Sequence, residues 1–186
     1  MVTKMNKDRL RSGMIILLSF GAAVVAIVLI ARNKAVVEDF IRSLGVFGLV
    51  AMLGMYAILG LSPVPADPLA LISGAVFGPL VGGLLAWAGM TLAALVEYYM
   101  GTRIADAAAF EQRKRELPWG LDDLPVESVW FLIGGRMLTG AGSKVVSFIS
   151  GIYQVSLGRY LWTTALAMAF GAVLFALGGS GLINLF

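Results

Sequence analysis

Apolar residues fill long stretches of this chain, and polar residues gather in short clusters between them. Residues 14–31, "MIILLSFGAAVVAIVLIA", run without a charge behind a basic start holding Lys4, Lys7, Arg9 and Arg11. At 18 residues the run exceeds the apolar core of a secretory signal, and no clear small-x-small cleavage site follows it, so a retained first transmembrane helix is expected. Val36, Val37, Phe40, Ile41 and Leu44 then recur at helical spacing opposite Glu38, Asp39 and Arg42, the pattern of a short interfacial helix. Residues 45–61 are apolar and glycine-rich. Residues 80–101 are long enough to cross the hydrocarbon layer, about 30 Å thick at about 1.5 Å per helical residue. Residues 128–138 are apolar but too short to span, and residues 160–179 make a last long run.

Between these runs the backbone is broken. The stretch 61–79, "LSPVPADPLALISGAVFGP", carries Pro63, Pro65 and Pro68 around Asp67, and "TGAGSKVVSFISG", 139–151, carries Gly140 and Gly142 ahead of Lys144. A shift of 77 residues lays "LISG" over "FISG", Pro63 and Pro65 over Gly140 and Gly142, and Asp67 over Lys144. Each half therefore reads as an apolar stretch, a break, a small-residue helix and a full span. Irregular backbone inside hydrocarbon costs several kcal/mol, of order, per unpaired peptide group, so such breaks mark places covered by protein or a watery cavity. The expected architecture is all-α and polytopic: an N-terminal transmembrane helix and interfacial helix (1–44), and a membrane domain (45–180). That domain holds two inverted re-entrant helical hairpins, each followed by a transmembrane helix, in repeats 45–103 and 128–180 around a loop 104–127, and a tail follows at 181–186.

Composition agrees, with 59% hydrophobic and 13% charged residues and a mean hydropathy of +0.89. The net charge of +3 is no nucleic-acid signal, because the basic residues flank membrane segments. Lys4, Lys7, Arg9, Arg11, Arg103, Arg113, Lys114, Arg115 and Arg159 all fall on one side if the N-terminus is cytoplasmic, and only Arg32, Lys34 and Arg42 on the other. Cysteine and histidine are both absent. Their absence excludes a disulfide framework, a cysteine nucleophile, a Ser-His-Asp triad and histidine-based zinc chemistry, so neither an enzyme nor a metal or cofactor site is expected.

The ionisable residues inside the broken elements are the candidate site. Asp67 stands where a helix restarts and could act as its N-cap or as a proton carrier. Arg136, in "GGRM", is either the partner of Asp67 or Glu97 in an ion pair or a ligand for phosphate, which its planar fork suits. Lys144, with Ser143 before it at a helix start, either adds charge to an anion site or snorkels to the interface. Glu97, in "LVEYYMG", reads as an interfacial carboxylate beside Arg103, with a proton relay as the alternative. Ser62, Thr139, Ser143 and Ser147 suit backbone bonding at breaks, with room for contact to a polar ligand.

On "PVPADPLALISGAVFGPLVGG" and "GRMLTGAGSKVVSFISGIYQVSLGRYLWTT" the chain resembles the DedA superfamily, also called the VTT or SNARE-associated Golgi protein domain, over about residues 45–180. The resemblance implies two inverted re-entrant hairpins in the bacterial inner membrane and movement of phosphate-bearing lipids such as undecaprenyl phosphate or phospholipid, with proton coupling in several members. It implies Asp67 as the acidic position of the first hairpin and Arg136 as an arginine of the second. Gly140 and Gly142 depart from the prolines expected there, and Lys144 from a polar amide. The expected partners are membrane lipids with anionic head groups, with homo-oligomers open. A transporter of a small soluble ion and a non-catalytic membrane assembly factor remain the alternatives.

Overall fold

The computed structural model describes residues 43–107, 125–137 and 141–183, together with scattered positions between 14 and 40. The N-terminal transmembrane and interfacial helices, most of the loop 104–127, and Thr139 and Gly140 of the second break lie outside the described residues or largely so. Among the described residues the protein is helical throughout, with α1 Val46–Gly60, α2 Asp67–Ala107, α3 Val129–Met137, α4 Ala141–Ile152 and α5 Leu157–Ile183. Two of these, α2 and α5, are long and apolar enough to cross a membrane.

Local chemistry explains the interruptions. Helix α1 closes when Leu61 N–H and Ser62 N–H bond back to the carbonyls of Ile58 and Leu59, at 3.0 and 3.1 Å. Pro63 then removes the next donor and prevents continuation. The chain restarts with the Ala66 carbonyl accepting from Leu69 and Ala70, which makes Asp67 the first helical residue. No hydrogen bond to its carboxylate is found among the described residues, so the expected N-cap role gives way to a place in the first turn, where a negative charge meets the helix dipole. Pro68 is likewise inside that first turn rather than in the break, and Gly142 is inside α4.

Helix α2 is bent in two at Gly78, whose φ of 77° is open to glycine at little cost, and Pro79 then starts the second arm with its φ preset. The first arm, 67–77, is roughly 16 Å long and cannot span hydrocarbon; the second, 79–107, can. It runs past the expected end at residue 101. In the second half the turn between α4 and α5 does the same work, with Gln154 at φ 53°.

The halves pack crosswise. The arm 67–77 crosses α5 at Gly74 and Gly179, where an added Cβ would overlap the Ala176 backbone and the Leu71 carbonyl respectively. Helix α4 crosses the long arm of α2 at Gly151 and Gly101, where a Cβ would overlap the Tyr98 and Phe148 carbonyls. These crossings are equivalent: Leu71 and Gly74 match Phe148 and Gly151 at an offset of 77, and Tyr98 and Gly101 match Ala176 and Gly179 at an offset of 78. The Trp87 indole N–H donates to the Ala165 carbonyl at 2.7 Å, joining two positions that are themselves 78 apart. A residue that touches its own counterpart lies near the axis relating two repeats, so the approximate two-fold passes between α2 and α5. Outside this core, Leu80, Leu84, Leu166, Phe170, Val173 and Leu177 turn outward, an apolar exterior that suits hydrocarbon.

Candidate functional site

Gly60 ends α1 against α2, where even a Cβ would come within 2.7 Å of the Ala93 carbonyl oxygen. That closeness brings the last carbonyls of α1, the negative end of its dipole, beside Glu97 one turn further along α2. Into this corner α4 sends Lys144. Its Nζ donates to Glu97 Oε1 at 2.5 Å and to the Leu59 carbonyl at 3.0 Å. Both side chains are nearly enclosed, Lys144 at 13% and Glu97 at 4% exposure. The expectations of a snorkelling lysine and of an interfacial Glu97 beside Arg103 are therefore corrected. Glu97 lies about three turns inside the end of its helix, where a charge is tolerable when a counter-charge and hydrogen bonds replace water.

Arg136, 7% exposed in the last turn of α3, is bound differently. One nitrogen, Nη1, donates to Ser147 Oγ at 3.0 Å and reaches the Ser143 carbonyl at 3.5 Å. Its guanidinium carbon lies 5.0 Å from the centroid of the Tyr160 ring, whose hydroxyl is tied to the Ala94 carbonyl at 2.6 Å. Nε and Nη2 are buried and have no hydrogen-bond partner among the described residues. Leaving buried donors unpaired costs about 1–3 kcal/mol, more for a charged group. Nε and Nη2 form one edge of the guanidinium, the edge that takes two oxygens of a carboxylate or phosphate side by side. Neither Asp67 nor Glu97 forms an ion pair with it among the described residues, contrary to one of the expectations.

Two neighbouring cavities hold these groups. The first, about 30 Å³, lies against Pro65, Asp67, Glu97, Ser143 and Lys144. The second, about 120 Å³, lies against Asp67, Arg136, Ser143, Gly171 and Phe175. Asp67, Ser143, Met90 and Met168 border both. The cavities are counterparts under the repeat: Met90, Ala93 and Glu97 of α2 line the first, and Met168, Gly171 and Phe175 of α5, each 78 residues on, line the second. Phe175 thus stands where the other half has Glu97. Lys144 and Glu97 both act electrostatically on Asp67, and Arg136 reaches Glu97, so the four ionisable groups form one electrostatic unit.

The structure therefore gathers Asp67, Glu97, Arg136, Ser143 and Lys144 from four sequence segments. Pro65 reaches the first cavity; Pro63, Pro68 and Gly142 border neither cavity. Tyr160, the Leu59 carbonyl, Met90, Met168 and Phe175 were not anticipated, and Ser147 was expected to bond backbone, with room for a polar ligand, but not to hold Arg136. For Met90 and Met168 a signal existed, since extending the repeat into the spans with one extra residue of offset superposes them.

A family model described as the VTT domain matches residues 64–181, which takes in both cavities and all four ionisable groups. No curated protein and no solved structure matches the chain.

Proposed function

The chain belongs to the VTT domain family, and from that premise we propose that it is a membrane lipid translocase for phosphate-bearing lipids such as phospholipid or undecaprenyl phosphate, working without a covalent step. The observation that carries this reading is the Nε and Nη2 edge of Arg136, unpartnered among the described residues, beside a cavity of about 120 Å³. A buried fork of N–H donors with its positive charge uncompensated at close range favours an oxyanion with two adjacent oxygens, as in a phosphate.

The lipid tails need not enter the protein. An apolar groove of about 550 Å³ runs along the outside of the α2 and α5 seam past Leu80, Leu84, Trp87, Val173 and Leu177, and supports a head group inside with tails outside. The half-helices 67–77 and α4 act as the inner parts of two re-entrant hairpins of opposite orientation. In this reading the two cavities lie on opposite sides of the bilayer midplane, and the basic residues flanking the membrane segments support an N-terminus in the cytoplasm of a bacterial cell. A phosphate monoanion entering beside Arg136 adds a negative charge to this unit, and a proton taken up by Asp67 offsets it. Proton coupling of the movement follows from that balance. The size of the second cavity also favours one alternative, a proton-coupled transporter of a small soluble oxyanion.

The test uses purified protein in liposomes of phosphatidylglycerol and phosphatidylethanolamine, with a labelled phospholipid in one leaflet or labelled phosphate inside, under an imposed pH gradient. Wild type should move the labelled lipid faster than empty liposomes, Arg136→Gln should not, and Asp67→Asn should lose the response to the gradient. Phosphate efflux without lipid movement selects the alternative, and neither movement ends both.

A further inference from the structure

The two cavities are neighbours and chemically different, and the residues they share are specific. Asp67 and Ser143 contribute the polar part of the shared wall, one from each broken element, and Met90 and Met168 contribute the apolar part, one from each long helix. The two methionines are buried at 6% and 7% exposure and are repeat counterparts, 78 residues apart. Met90 stands one turn from Trp87, and Met168 one turn from Ala165, the residues that join the helices at the approximate axis. The Met90 methyl reaches to 3.9 Å from the Cβ position of Gly171, so it extends from α2 across to α5.

We propose that Met90 and Met168 form the gate on the transport path, closing the passage between the two cavities in this state. This rests on the reading of the chain as a translocase. A methionine pair suits the task because an unbranched thioether repacks through three rotatable bonds at little cost, so the same side chains can seal against either cavity as the halves exchange roles. The place on the axis matters equally, since a seal there serves both orientations of an inverted repeat. Nothing narrower than the gate is needed to stop water: a cavity holds a water molecule once about 10–15 Å³ is open to its centre, and both cavities already exceed that. Removing both side chains beyond Cβ should merge the cavities into one wet passage running past Asp67 and Ser143.

The gate is tested in liposomes of phosphatidylglycerol and phosphatidylethanolamine carrying a pH-sensitive dye, by following the decay of an acid pulse. Met90→Ala with Met168→Ala is expected to raise protein-dependent proton leak about tenfold, a barrier lowered by about 1.4 kcal/mol. Met90→Leu with Met168→Leu, which keeps the volume, should stay near wild type. Because the chain has no cysteine, Met90→Cys with Met168→Cys gives a clean second arm: a cross-link between them should halt lipid movement and release it on reduction. A double-alanine protein that keeps its wild-type elution profile yet leaks no more than wild type overturns the gate, as does a cross-linked cysteine pair that still moves lipid. Gated leak in a protein that moves no lipid leaves the gate standing and removes the lipid as cargo.

Discussion

Lys144 and Arg136 enter the protein on neighbouring helices of the same half, yet one cation is answered and the other is not. Lys144 meets a carboxylate on α2 and a helix-end carbonyl of α1 within 3.0 Å. Arg136 meets a serine hydroxyl, a distant carbonyl and the face of a tyrosine, and among the described residues keeps one edge unpartnered. The difference traces to two pairs of equivalent positions, Glu97 on α2 against Phe175 on α5, and Lys144 on α4 against Asp67 on α2, so the ion pair of one cavity has no equivalent in the other. Two related cavities are thereby divided: one is closed by an internal ion pair, and the other carries an unanswered positive edge.

Changes that erase this asymmetry should have graded effects. The largest is expected for Lys144→Met, which strands Glu97 in a buried site and should cost about 3–5 kcal/mol, read as a lowered thermal midpoint in detergent. Adding Glu97→Leu should recover most of it, because the penalty lies in the unpaired charge. Next comes Phe175→Glu, which gives the second half the carboxylate of the first. If that carboxylate settles on the free edge of Arg136, lipid movement should fall about 100-fold, a barrier increase of about 2.7 kcal/mol, without loss of thermal stability. A variant that transports normally would mean that the open edge is not the head-group site.

The structural equivalence of the halves can be tested separately. Gly74→Ala and Gly151→Ala each push a methyl into backbone of a crossing helix and should destabilise by similar amounts, about 1–3 kcal/mol. Gly54→Ala, on an open helix face, should instead stabilise by about 0.5–1 kcal/mol. An effect of similar size and opposite sign is expected for Tyr160→Phe, which loses the bond to Ala94 but keeps the ring under Arg136 and should cost about 1 kcal/mol.

The breaks were legible in the sequence because proline and glycine act locally: Pro63 and Pro65 end one helix wherever they stand, and their position fixed the interruption at 61–66. The residues of the site were legible for a related reason, since a charge within a long apolar run has to be sheltered. Their pairing was not. Whether Lys144 or Arg136 meets Glu97 depends on how closely α1, α2 and α4 approach, and Gly60, Gly101 and Gly151 set those approaches through contacts between residues distant in sequence. Helix ends suffered in the same way: Glu97 looked close to the surface because apolarity fades after residue 101, whereas the helix continues to Ala107. Phe175 carried no signal at all, because a phenylalanine in an apolar span is unremarked until its counterpart is known to be a glutamate.

The claim that the free edge of Arg136 receives a lipid phosphate is most directly tested by ligand-induced stabilisation of the purified protein in detergent. Short-chain phosphatidic acid is titrated against wild type, Arg136→Gln and Phe175→Glu, with the matching uncharged diacylglycerol as control. Ligand at about 100 times its dissociation constant should stabilise wild type by about 2.7 kcal/mol and raise its thermal midpoint, while both variants and the uncharged control stay flat. An equal rise in Arg136→Gln, or no rise in wild type, would contradict it.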